Sequence, residues 1–298
     1  MVHGARSAVS ATAHGLSIPE EHQLIVEQRR IADDLGVPAA FDAAQAITLR
    51  TAFLADYAQK AGAQVLVLGI SGGVDSTVTG RLCQLAVEQM RQAGSAIRFV
   101  AVRLPYGVQA DEAEAQAALE FIRPDETLTV NVKAASDAAM QACIAAGLTF
   151  RDAAHQDFVL GNIKARQRMV AQYAIAGARG GLVVGTDHAA EAVMGFFTKF
   201  GDGGFDLTPL GGLTKRRVRA VALELGAATA IAMKQPTADL ETLRPLLPDE
   251  HALGVTYDQI DAFLEGLEVD PQAAQIIVDT YRRTAHKRAL PASPADGA

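Results

Sequence analysis

Residues 65–77 read VLVLGISGGVDST, an apolar run that breaks into a glycine turn and reopens as a helix. The run at 65–70 is apolar throughout, which suits a strand covered on both faces, as in a parallel sheet. Gly72 and Gly73 let the backbone turn tightly and come close to a ligand. The N–H groups and positive dipole at the start of the next helix favour an anion there. Ser71 and Ser76 add hydroxyl donors. Asp75 would repel a phosphate unless a cation lay between them, and its natural partner is Mg²⁺. A Walker A loop needs a Lys that is missing here, and a dinucleotide fingerprint needs G-x-G-x-x-G, which the segment does not match. The plainer alternative is a glycine turn with a Ser/Asp helix cap.

Outward from this stretch, strands and helices alternate. Helices are expected at 19–35, at 41–61 with Asp42 as N-cap, at 76–93, 111–122 and 157–176, and in an Ala-rich segment running to 146. Apolar runs at 97–104, 128–132 and 181–186 read as further strands. Helices at 216–225 and 272–287 close the chain. The pattern predicts an α/β fold: a parallel sheet of about five strands with helices on both faces, and extra helices at both ends. Ligands in such folds bind beyond the carboxyl ends of the strands. We expect one domain over 18–290, with tails at 1–17 and 291–298. Two segments, 104–109 and 234–254, read as lids.

Composition narrows the function classes. Hydrophobic residues make up 49% of the 298 and charged residues 20%, as in an ordinary globular protein. A formal net charge of −7 makes general nucleic-acid binding a poor reading. No apolar run approaches the roughly 20 residues of a membrane span, and the N-terminus has no secretory apolar core. Cys83 and Cys143 each lie in an apolar helical stretch and read as buried structural thiols, which leaves a reducing, cytoplasmic setting as the expectation.

The string S-G-G-V-D-S at 71–76 resembles the pyrophosphate loop of the ATP pyrophosphatase superfamily, whose members split ATP into AMP and pyrophosphate. Longer stretches sharpen this: RLPYGVQADE (103–112), GNIKARQRMVAQY (161–173), VVGTDHAAEAVMGFFTKFGDGGFDLTPL (183–210), LTKR (213–216), PTADLE (236–241), LPDEHALGVTYDQIDAFLEG (247–266) and TAHKR (284–288). They are similar to the short, ammonia-dependent NAD synthetase family, over roughly residues 20–290. The resemblance implies an adenine-nucleotide α-hydrolase-like fold and a homodimer with the dinucleotide at the subunit interface. It also implies a two-step reaction. The carboxylate of deamido-NAD attacks the α-phosphate of ATP, and ammonia then displaces AMP from the acyl adenylate. Glutamine-using relatives carry an added amidase domain for which the chain has no room, so free ammonia is the expected donor.

Carried over residue by residue, the resemblance assigns ATP to the loop Gly69, Ile70, Ser71, Gly72, Gly73, Val74, Asp75 and Ser76, and to Thr186, Lys215 and Thr237. Arg103, ending a strand, is a candidate for the adenine or ribose side. Asp75 and Glu191 would hold Mg²⁺. Arg166, Lys199, Asp206, His286 and Lys287 match contacts to deamido-NAD. The last two would come from a helix end that folds back over the site or, as the dimer favours, reaches a neighbouring subunit. Asp202 is the candidate for binding ammonium and removing its proton; the plainer alternative is a Gly-Asp turn capping itself. With Asp75 and Lys215 it forms the expected catalytic set. His188 and Glu191, spaced i, i+3, would otherwise suggest a transition-metal pair, but no further ligand is evident nearby. Two other readings stand beside this one: another amidating ATP pyrophosphatase, and a nucleotide sensor that keeps the fold without the chemistry.

Overall fold

Leu66 and Leu68 pack to one side of their strand, and Val65 and Val67 to the other. That alternation is what a strand buried on both faces requires. The computed structural model describes residues 18–107, 112–238, 243 and 247–294. The tail expected at 1–17, the end of the C-terminal tail (295–298) and parts of both expected lids (108–109, 239–242 and 244–246) lie outside the described residues.

Two helices, α1 (Ile18–Asp34) and α2 (Ala43–Ala61), precede β1 (Val65–Gly69). Then come α3 (Val74–Gln92), β2 (Arg98–Arg103), α4 (Glu112–Ile122), β3 (Glu126–Thr129), α5 (Lys133–Ala145), α6 (Ala153–Arg179) and β4 (Leu182–Val183). The rest is α7 (Ala189–Met194), α8 (Lys215–Glu224), α9 (Thr229–Ala232), the ribbon β5 (Thr237–Ala238) and β6 (Leu247–Pro248), α10 (Asp249–Leu253), α11 (Tyr257–Leu264), α12 (Pro271–Arg283) and α13 (Ala285–Arg288). Asp42 caps α2 as expected, its side chain accepting from Gln45 N at 2.7 Å.

The main sheet runs β3-β2-β1-β4, with every pair parallel. Leu54 of α2, Val78 and Leu82 of α3 and Val218 and Val221 of α8 cover one face with Leu66, Leu68 and Phe99. Val132 and Ala176, at α5 and α6, cover the other with Val65, Val67, Val100 and Val102. A third cluster, Ile31, Val193, Ile260, Phe263 and Ile277, joins α1, α7, α11 and α12. The strand order reverses between β1 and β4, so the ligand crevice belongs beyond their carboxyl ends.

The sheet differs from expectation at its edge. Among the described residues the main sheet has four strands rather than about five. The expected strand at 181–186 shrinks to Leu182–Val183. What a fifth strand would have done is left to one parallel bridge, Val184 to Leu207. At this edge the Asp206 carboxylate accepts Val183 N at 2.7 Å, and Gly185 lies so close to the Phe205 ring that a Cβ there would sit 2.1 Å from it. Backbone bonds continue beside these contacts: Val184 N donates to Val67 O at 2.8 Å, Asp206 N to Val183 O at 2.9 Å and Gly185 N to Leu207 O at 2.8 Å. Helix α6 is longer than predicted at both ends, capped by Asp152 and by Gly180 at φ +63°. Of the two cysteines, Cys83 is buried and Cys143 is exposed, which corrects the reading of both as core thiols. Cys143 shares the α5 face of Ser136 and Met140 but sits nearer the helix end, past the last buried residue of that face. Among the described residues no helix is long and apolar enough to cross a membrane.

Candidate active site

The turn after β1 is held by its own hydroxyls. Ser71 Oγ accepts from Gly73 N at 3.2 Å and lies 3.1 Å from Ser76 Oγ, which donates to Gly73 O at 3.1 Å. Gly72 takes φ +86° and sits against α4, where a Cβ would lie 2.9 Å from Ala115 N. Only glycine fits that backbone and that space. Gly73 caps α3 without a side-chain acceptor, so the first-turn N–H groups face outward from the sheet with Asp75 among them.

Three further helix starts converge on Asp75. Lys215, the first residue of α8, is 1% exposed, and its Nζ lies 2.7 Å from Asp75 Oδ2 and 3.4 Å from His188 Nε2. His188 caps α7, and its Nε2 is 3.5 Å from both Asp75 Oδ1 and Glu191 Oε2. Tyr257 opens α11 beneath them, its ring 5.0 Å from Lys215 Nζ and its hydroxyl donating to Asp249 Oδ2 at 3.1 Å. The sequence offered no third ligand beside His188 and Glu191. The fold supplies one, since donor atoms of Asp75, His188 and Glu191 lie within 4.8 Å of one another.

Charge sets the protonation of this cluster. Burial pushes the Asp75 carboxyl up most strongly, but the charge and hydrogen bond of Lys215, together with His188 and a backbone N–H, bring the group below the usual carboxylate range. Burial would lower Lys215, but Asp75 and Glu191 more than offset it, so the ammonium is retained. Burial and the Lys215 charge push His188 down to about 3, leaving a neutral imidazole. Burial and the nearby Asp75 raise Glu191 well above its usual range. Burial, then Asp202 and Asp75, do the same to Asp187. Lys215 thus faces Asp75 and Glu191 together, while Lys287 faces Asp187 and Asp202.

A second group gathers on the α6 side. Arg166 is exposed and donates to Lys199 O at 3.3 Å. Lys199 Nζ donates to the His286 and Ala289 carbonyls, and Lys287 Nζ to Gly195 O at 2.6 Å. The C-terminal turn therefore folds back onto its own chain; His286 contributes its carbonyl there. A cavity of about 470 Å³ lies alongside, lined by Asp187, His188, Phe197, Phe205, Lys287 and Arg288 among others. Asp202 keeps an exposed surface, accepts Thr198 N at 3.0 Å, and its carboxyl is raised by desolvation.

Other predicted residues are occupied within the chain. Asp206 uses both oxygens, one for Val183 N and one for the Tyr173 hydroxyl at 3.1 Å. Arg103 is 3% exposed and forks onto Glu112 at 3.2 and 3.0 Å. Thr186 is half-buried just past β4, and Thr237 pairs through its backbone with Pro248. Of the basic run 164–168, Lys164 is buried with its Nζ 4.1 Å over the Tyr106 ring, and Arg168 Nε donates to Leu104 O at 3.0 Å. Both brace the foot of the first expected lid. The sequence reading missed Asp187, Asp249, Tyr257 and Asp261. Asp187 had a signal, an acid just past a strand end; the other three reach the site only through long-range packing.

The sequence model of the NAD synthase family matches residues 46–291. The chain belongs to the NAD synthase family. Within it, the NH3-dependent NAD+ synthetase of Streptomyces coelicolor is 64% identical over 270 residues, covering 91% of this chain and 98% of the relative. The crystal structure of NAD+ synthetase from Burkholderia pseudomallei superposes with a TM-score of 0.79 at 59% identity, covering 90% of this chain and 98% of that one. The structure of NMN synthetase from Francisella tularensis gives 0.74 at 32% identity, covering 86% and 99%.

Proposed function

We infer that the chain is an ammonia-dependent NAD synthetase, which joins ATP, deamido-NAD and ammonia to give NAD, AMP and pyrophosphate. The observation that carries this is the buried Asp75–Lys215–Glu191 cluster at the first turn of α3, at the point where the strand order reverses. A carboxylate is a poor electrophile, so amide formation needs it activated first. In the first step the nicotinate carboxylate attacks the α-phosphate and pyrophosphate leaves. The loop Gly69–Ser76 and Thr237 cradle the triphosphate, with Thr186 and Arg103 on the nucleoside side. Lys215 stabilises the charge that develops on the reacting phosphate. In the second step ammonia adds to the acyl carbon and AMP departs. Asp202, with Asp187 beside it, binds ammonium and takes its proton.

Asp75 and Glu191 fit a divalent cation. Asp75 Oδ1 is buried without a hydrogen-bond partner, and Glu191 stands among acids and shares the Lys215 ammonium with Asp75. Two carboxylates plus phosphate oxygens and water suit Mg²⁺. When bound, the ion would neutralise the phosphate charge.

Deamido-NAD lies across the cavity, its anionic groups met by Arg166, Lys199 and Lys287 and its far end by Asp206 and His286. On α6, Phe158, Arg166, Val170 and Tyr173 fall within about 120° of the helix circumference. Phe158 is 55% and Val170 51% exposed. That face supports a homodimer with the dinucleotide at its interface. Arg166→Ala should raise KM for deamido-NAD about tenfold or more, the loss of one charge-assisted contact, and leave KM for ATP within twofold. An unchanged KM for deamido-NAD would remove Arg166 from the site. Residues 18–290 carry the activity on this reading, so deleting 1–17 should leave kcat and both KM values as they are. The thiols, unpaired among the described residues, fit a reducing cytoplasm.

The deciding assay gives purified chain ATP, Mg²⁺, an acceptor and either ammonium or glutamine. NAD and AMP formed in step from deamido-NAD with ammonium alone is the expected result. AMP without NAD, or amidation of nicotinate mononucleotide in preference, would assign another acceptor. No nucleotide turnover would favour the sensor.

A further inference from the structure

The pyrophosphate loop carries no lysine of its own, unlike a Walker A loop, whose lysine reaches the β and γ phosphates. The fold brings cations to it from elsewhere. Lys215 arrives on the Asp75 side. On the other side stands Lys234, two residues after α9, whose Ala232 is buried in the main core. Its Nζ lies 3.4 Å from Gly72 O. Lys234 is half-buried, and among the described residues no carboxylate pairs with it. Gly72 cannot retreat from it, because the turn is wedged against Ala115. A half-buried ammonium held at an immovable turn by one long hydrogen bond to a carbonyl lacks a counter-ion. A phosphate seated on the loop would supply it.

We propose that Lys234 is a further ligand of the β–γ end of ATP and of the pyrophosphate that leaves, building on the reaction inferred above. Cleavage between the α and β phosphates breaks the P–O bond and leaves the bridging oxygen on the departing pyrophosphate, which gains negative charge. A cation on the Gly72 side, opposite Lys215, meets that charge where the loop has none.

The test uses the full chain with Lys234→Met and Lys234→Arg. Lys234→Met should raise the inhibition constant for pyrophosphate and KM for ATP by at least about tenfold, the loss of one charge-assisted contact, with KM for deamido-NAD within twofold. Lys234→Arg should restore most of both. Unchanged pyrophosphate inhibition in a folded Lys234→Met protein would overturn the proposal. So would an equal rise in all KM values with no rescue by Arg, which is the signature of a simple tether. Calorimetric titration of pyrophosphate into wild type and Lys234→Met, with no acceptor present, separates this inference from the reaction itself. A wild type that makes no NAD but binds pyrophosphate through Lys234 would leave the contact standing.

Discussion

Lys215→Met should lower turnover on the order of a thousand-fold, the scale seen when a preorganised charge stabiliser is removed from a reacting centre. It should also cost about 3–5 kcal/mol of stability, because it leaves the other half of a buried pair uncompensated. Both effects come from one fact of geometry. The ammonium is 1% exposed and lies 2.7 Å from Asp75, and no other cation among the described residues pairs with Asp75 or Glu191. Met fills a similar volume, so the loss is of charge and not of packing. Chemical denaturation without nucleotide or Mg²⁺ reads the stability, and a steady-state assay reads kcat. Adding Mg²⁺ should recover part of the stability and little of the turnover, since a cation can neutralise the acids without standing where Nζ stood. A variant with near wild-type kcat would remove Lys215 from the chemistry. An unchanged midpoint would mean that Asp75 finds another partner.

Much of this site was legible because it is local. The strand, turn and helix start at 65–76 are contiguous, and each residue type there answers a local need: apolar for burial, glycine for the turn, hydroxyl and carboxylate at the helix start. Glu191 and Thr186 follow a strand end in the same way. Lys215 could be named only through family resemblance. Nothing in T-K-R-R says that one of three cations is buried against Asp75 while Arg216 and Arg217 turn toward α11 and the loop before α2. Lys164 shows the converse. Three cations in a turn and a half suggest a basic face, yet Tyr106 and Leu104 draw two of them inward and leave Arg166 outside.

The fold was legible where hydrophobic period decides it, and failed where distant segments decide it. Helices α2 and α3 end within two residues of expectation, since caps such as Asp42 are written in the sequence. The 181–186 strand was not, because its outer edge is met by the segment 205–207, about 20 positions away, through one bridge and the Asp206 carboxylate. The Cys143 misreading has a similar origin. Cys143 is on the same face as the buried Ser136 and Met140, and how far along α5 that face is covered is decided by tertiary packing.

Asp261→Ala should be the most damaging change outside the reacting cluster. Asp261 is 1% exposed on α11, and its two oxygens accept Lys215 N at 2.9 Å and Arg216 N at 2.7 Å. Thr214 takes the next N–H, from Arg217, and donates to Glu265 Oε1 at 2.7 Å. The whole first turn of α8 is thus satisfied from its cap and from α11, and that turn carries Lys215. Alanine strands two buried donors and removes a negative charge from a helix N-terminus, for about 3 kcal/mol. Turnover should fall while both KM values change little, because the ammonium is mispositioned rather than lost. Burial, acting against those two N–H donors, raises the Asp261 carboxyl to about 6. A proton held more tightly in the folded chain adds stability at low pH, which is lost as pH rises through about 6. Asp261→Asn removes that titration, so its stability should change less across the interval from about pH 4 to about pH 7. Its amide can accept only one of the two N–H groups, and its denaturation midpoint should fall between those of wild type and Asp261→Ala. An alanine variant as stable as wild type, with unchanged kcat, would show that α8 holds Lys215 in place without the cap from α11.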